Sequence, residues 1–206
     1  MKFPHHKTAS VATYCKGYVE VLERAFQSLD MDQMARAASA LLKAFSQGKT
    51  VYVCGNGGSA AISNHLRCDF VKGVQTQTTL RPKVISLTGN LETLTAIAND
   101  MAYEEIFVYQ LKTLAEPGDL LMTISSSGDS ENIFRALDWA KKNSMTTIAL
   151  CGFEGGRSLD LADIPLYVSG SNYGIVEDVH QSLMHMLAQY IRQSQMSEHE
   201  ICEQYF

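Results

Sequence analysis

The stretch VYVCGNGGSAAISNHLRCDF, residues 51–70, decides how this chain is read. An apolar run with strand character ends in a glycine-rich turn, and a helical segment follows at once. That segment carries His65 and Asp69, four residues apart and therefore on one helix face. Three readings compete for the turn: a dinucleotide fingerprint, a cradle for a phosphate, or a tight connection with no ligand.

Working outward, the same alternation of short apolar run and helical segment recurs. KVISL is followed by LETLTAIAND and YEEIFVYQLKTLAE, DLLMTIS by ENIFRALDWAKKN, TTIALCG by GGRSLDLAD, and PLYVSG by a long helix expected from about Val176 to Ser194. Strand followed by helix, five times over, predicts an α/β fold with a doubly wound, five-stranded parallel sheet. Ahead of it, residues 9–48 show apolar positions at helical spacing (Tyr18, Val21, Leu22, Ala25, Phe26), which predicts two helices split near Leu29 to Asp32. No repeat, linker or low-complexity stretch interrupts the 206 residues, so residues 1–206 are expected to form one domain.

Composition narrows the function classes. A formal net charge of -5 without any cluster of lysines and arginines disfavours wrapping nucleic acid or sitting on anionic lipid. The N-terminus MKFPHHKTAS lacks an apolar signal core, and no apolar run is long enough to span a bilayer, so a cytoplasmic protein is expected. Five cysteines at scattered positions read as reduced, mostly buried thiols.

Gly55-x-Gly57-x-x-Ala60 satisfies the relaxed dinucleotide pattern, but the region about 20 residues on, VQTQTTLRPKVISLTGN, has no acid before Glu92 to take ribose hydroxyls. A second turn, SSSGDS at 125–130, also joins a strand to a helix. Serine hydroxyls at a helix N-terminus suit a phosphate without any lysine, and capping needs only one of them. In an open α/β sheet both turns lie at the carboxyl ends of strands, where ligands bind. In the last helix, Glu177, Asp178, His180, Gln181 and His185 crowd an otherwise apolar stretch, with Asp178, Gln181 and His185 on one face. His65 and Asp69 have the spacing of two ligands to one metal ion, or of a surface pair. Asp100, where an apolar helix gives way, reads equally as a site acid or a helix-end residue.

GNGGSAAISNHLRCDF, AND at 98–100, GDLLMTISSSGDS and the final-helix pattern ending in LMH together resemble the SIS-domain phosphosugar isomerases. The resemblance covers about residues 10–195 and is nearest to the phosphoheptose isomerases. It implies an aldose–ketose isomerase acting on sedoheptulose 7-phosphate to give a D-glycero-heptose 7-phosphate for bacterial surface polysaccharide. It also implies a divalent metal, zinc or another first-row ion, one per subunit, held by His65, Asp69, Glu177 and His185. Asp69 and His185 take the acid/base roles. Asn56, Gly57, Gly58, Ser59, Asn99, Asp100, Ser125, Ser126, Ser127 and Ser130 line the substrate site together with Asp69 and Glu177. A homotetramer with shared active sites is implied, with residues 9–48 as a helical extension used in oligomerisation. Two positions depart from the family pattern: Asp69 stands for a glutamate and Glu177 for a glutamine. Some SIS-domain proteins that share GNGxSAA and LTAIAND, such as the replication-initiator-associating protein, are instead non-enzymatic tetrameric adaptors. The joint presence of His65, Asp69, Glu177 and His185 favours the enzyme.

Overall fold

The computed structural model describes residues 1–203. Helix α1 (Val11–Gln27) begins where Ser10 Oγ accepts the Thr13 N–H, and α2 (Met31–Ser46) where the Asp30 carboxylate accepts from Asp32 and Gln33, so the break falls in the segment expected for it. Strand β1 (Thr50–Gly55) leads into α3 (Gly58–Cys68), which continues as a wider π turn over Asp69–Val74. Next come β2 (Lys83–Ser86), α4 (Leu91–Asp100), a single 3₁₀ turn (Tyr103–Glu105) and α5 (Val108–Leu114). Strand β3 (Leu120–Ser125) precedes α6 (Glu131–Lys142), β4 (Thr146–Cys151) precedes α7 (Gly156–Leu161), and β5 (Ile164–Tyr167) precedes α8 (Tyr173–Gln193) and the short α9 (Glu198–Cys202).

All five strands are parallel, in the order β2-β1-β3-β4-β5. The strand order reverses between β1 and β3, and Gly55 is in register with Ile124. The glycine-rich turn and the serine turn therefore flank the switch point, the crevice where open α/β sheets bind ligands. Alternation along the strands separates two cores. Val51, Val53, Met122 and Ile124 face α1, α2, α3 and α8, whereas Tyr52, Cys54, Leu121 and Cys151 face α4, α5 and α6.

Three expectations need correcting. Tyr103–Glu116 is not one helix, because Ile106, Phe107 and Val108 are all buried and three consecutive positions cannot lie on one helical face. The last helix starts three residues early, where Asn172 Oδ1 accepts the Ile175 N–H. Cys54 and Cys151 are buried in strands, but Cys15, Cys68 and Cys202 are exposed, so the thiols are free without being mostly buried.

His180 is fully buried on α8, and among the described residues neither ring nitrogen has a hydrogen-bond partner. Burial pushes its pKa from 6.5 down to about 4, against a weaker opposing pull from the Cys151 backbone. Between those values the unfolded chain binds a proton that the folded chain refuses, so stability falls as pH drops below 6.5. The His180 contribution to this loss between pH 6.5 and 5 is expected to be about 2 kcal/mol. Urea unfolding of the parent and of His180→Leu at both pH values checks this; equal pH slopes in the two proteins would contradict it.

Candidate active site

The glycine-rich turn needs its glycines for identifiable reasons. Gly57 has a φ of 54°, and a Cβ on Gly55 would lie 2.6 Å from the Ser59 carbonyl oxygen. A side chain on Gly58 would collide with the Glu177 carboxylate, so the start of α3 is pressed against α8. Asn56 exchanges hydrogen bonds with Asn132 on α6, 2.9 Å in each direction, and its Oδ1 also accepts from the Tyr103 hydroxyl. These bonds tie the first turn to the helix that leaves the second.

In the serine turn, Gly128 N–H donates to the Ser125 carbonyl and hydroxyl, and Asp129 N–H to Ser127 Oγ. Ser130 occupies the N-cap position of α6, yet its side chain makes no capping bond. The buried Ser126 hydroxyl has no partner among the described residues. Capping therefore does not account for these hydroxyls, and Ser125, Ser126, Ser127 and Ser130 line one pocket with Asn56, Ser59, Tyr173 and Glu177. Burial, and then the charge of Asp178, raise the Glu177 pKa above the ordinary glutamate value. Asp178 itself accepts a 2.7 Å bond from Tyr18 OH.

A second group lies two turns further along the same two helices. The Asp69 carboxylate meets His65 Nε2 at 3.3 Å with one oxygen and His185 Nδ1 at 2.9 Å with the other. Gln181 Nε2 meets His65 Nδ1 at 3.1 Å and His185 Nε2 at 2.9 Å. The four side chains close a ring. With the amide nitrogen between the imidazoles, both rings accept from Gln181 and donate to Asp69. Turning the amide over makes both rings donate to the Gln181 oxygen, so that a ring nitrogen without its N–H faces the carboxylate and both bonds to Asp69 are lost. Donor atoms of His65, Asp69 and His185 lie within 4.8 Å of one another, and two imidazoles with a carboxylate suit zinc or a similar divalent ion. Asp69 opens the π turn, a deviation that often accompanies functional positions.

Glu177 does not join this group within one chain. It stands eight residues before His185, a rise of about 12 Å along the helix, and instead faces Gly58 and the serine pocket. The polar partner beside the histidines is Gln181, one turn before His185. Asn99 and Asp100 are exposed at the end of α4 and bonded to each other, away from the serine pocket of the same chain. Strand β2 ends at Ser86, which bonds to Asn64 and Thr88, so no carboxylate stands where a dinucleotide would need one. Asn132, Tyr103 and Tyr173 escape a reading of the sequence because each meets the turns from a distant segment; the polar Gln181 on the His185 face was the one available signal.

The SIS domain family profile matches residues 13–152. A phosphoheptose isomerase of Crocosphaera subtropica is 35% identical over 82% of this chain and 86% of its own length. One from Nitratidesulfovibrio vulgaris is 36% identical over 81% of this chain and 79% of its own. The structure of a phosphoheptose isomerase from Francisella tularensis superimposes with a TM-score of 0.81 at 31% identity, covering 91% of this chain and 100% of that one. With two turns at the switch point, matching sequence over four-fifths of its length and matching architecture, the chain belongs to the SIS-domain phosphosugar isomerases, the family of the phosphoheptose isomerases.

Proposed function

We propose that the protein isomerises sedoheptulose 7-phosphate to a D-glycero-heptose 7-phosphate. The observation that carries this reading is the pairing, on α3 and α8, of a pocket with uncommitted serine hydroxyls and a carboxylate–imidazole ring two helical turns away. The pocket takes the phosphate through hydroxyl groups and the N-terminus of α6. Asp69 removes a proton from C1 of the ketose and returns it to C2, while His185 carries the hydroxyl proton from O1 to O2 through the enediol stage. His65, Asp69 and His185 are the residues that would hold a divalent ion, and such an ion supplies positive charge for the developing oxyanion.

The proposal extends to a cytoplasmic homotetramer with shared active sites and with residues 9–48 contributing contacts. Exposed Val19, Met31, Met186 and Tyr190 on α1, α2 and α8 are surfaces such an assembly would cover. Among the described residues, no helix is long and apolar enough to cross a membrane.

Ser127→Ala and Ser130→Ala test the phosphate end. A hydrogen bond to a charged group contributes roughly 1.5–3 kcal/mol, so each variant should raise KM about tenfold or more with a smaller fall in kcat. Parent-like KM values in both would mean that the serine turn does not hold the substrate.

A further inference from the structure

The serine turn contains no lysine or arginine, and of two carboxylates Asp129 lies within it and Glu131 follows it directly. A phosphate dianion would be repelled by both unless something offset them. Glu131 pairs with Arg135 on its own helix, Nε to Oε1 at 2.7 Å, and one side chain from another segment reaches both acids. Arg157, on α7, donates from Nε to Asp129 Oδ1 at 2.5 Å, from one terminal nitrogen to the Asp129 carbonyl at 3.0 Å, and from the other to Glu131 Oε2 at 2.9 Å. Its guanidinium lies over the Phe134 ring, 4.2 Å from the centroid. The same segment supports the turn from behind. Ser158 N–H donates to the Gly128 carbonyl, and the Gly155 carbonyl packs so closely on Gly128 that a side chain there would collide with it. Asp129 is held below its ordinary pKa chiefly by its hydrogen bond to Arg157, and Glu131 first by Arg135 and then by Arg157, in agreement with charge pairing.

Resting on the reading of the serine turn as the phosphate site, we propose that Arg157 is its positioning residue, fixing the backbone at Asp129, cancelling the Asp129 charge and sharing that of Glu131 with Arg135, so that a turn without cations accepts a dianion. Arg157 acts through Asp129 and Glu131; its hydrogen bonds all go to these neighbours of the serine hydroxyls rather than to the pocket that the hydroxyls line.

The test measures KM for sedoheptulose 7-phosphate and calorimetric binding of inorganic phosphate to the full-length protein. Arg157→Met should weaken both by about tenfold, with kcat within about twofold of the parent. The defect should shrink at high salt, since the unmasked carboxylates are half exposed and screened. Arg157→Met combined with Asp129→Asn should recover most of the affinity, because the repulsion goes with the second charge; loss of a purely mechanical brace would not be relieved this way. Arg157→Lys, which keeps the charge, should stay within about threefold of the parent and serves if the methionine variant does not fold. Unchanged phosphate affinity in Arg157→Met, absence of rescue by Asp129→Asn, or a lysine variant as impaired as the methionine one would each overturn the proposal. Failure of the phosphate-site reading looks different: Ser127→Ala and Ser130→Ala would then bind inorganic phosphate like the parent.

Discussion

Asp69→Asn is expected to abolish turnover, with kcat reduced by about 10²–10⁴, the usual worth of a positioned general base. The substitution preserves shape. An asparagine of the same shape can still accept from one imidazole through Oδ1, although the other loses its acceptor, so the ring of His65, Gln181 and His185 has no steric reason to collapse. What disappears is the only carboxylate in that ring. Glu177→Gln provides the contrast. Glu177 lies against Gly58 in the serine pocket, two turns from His185, so its loss of charge should leave isomerisation largely intact and, if anything, ease phosphate binding. Steady-state kinetics on both variants decide the matter. An active Asp69→Asn with a dead Glu177→Gln would move the base to Glu177, and two parent-like variants would remove both acids from the mechanism.

His65→Ala should remove bound metal and activity together while leaving the fold in place, since its side chain is 48% exposed and contributes little to the core. Elemental analysis of the purified protein, with unfolding measured alongside, checks both halves. Gln181→Leu refines the result. It deletes the bonds that orient both imidazoles from the side opposite Asp69, and losing such an orienting partner typically weakens metal affinity by about 10–100-fold. A cobalt-loaded Gln181→Leu with the parent's absorption spectrum but weaker binding would identify Gln181 as an orienting partner; a changed spectrum would make it a ligand. Stoichiometric metal in His65→Ala would sink the metal reading of the whole cluster.

Much of this was legible in the residues because the signals are local. Five apolar runs, each followed by a helical segment, specify a parallel sheet through periodicity alone. The serine turn was equally readable, as an excess of hydroxyls at a helix start. The first half of α8 was harder. Its polar residues share a helix in which several faces are covered, so periodicity could not tell which of Glu177, Asp178, His180 and Gln181 meets a site. In the structure they separate completely: Glu177 goes to the serine pocket, Asp178 to Tyr18, His180 to the core and Gln181 to the histidines.

By itself, the sequence determined the fold class, the two turns at the sheet edge and the pairing of His65 with Asp69, since each depends on residues a few positions apart. Only the tertiary structure decided that His185 closes on that pair from 116 residues beyond Asp69, that Gln181 rather than Glu177 stands beside the histidines, and that Arg157 clamps the serine turn. The phase of α8 against α3, and of α7 against α6, sets these contacts. That phase is chosen by the burial of Val179, Leu183, Leu187 and their partners in the core, where no polar residue leaves a mark in the pattern.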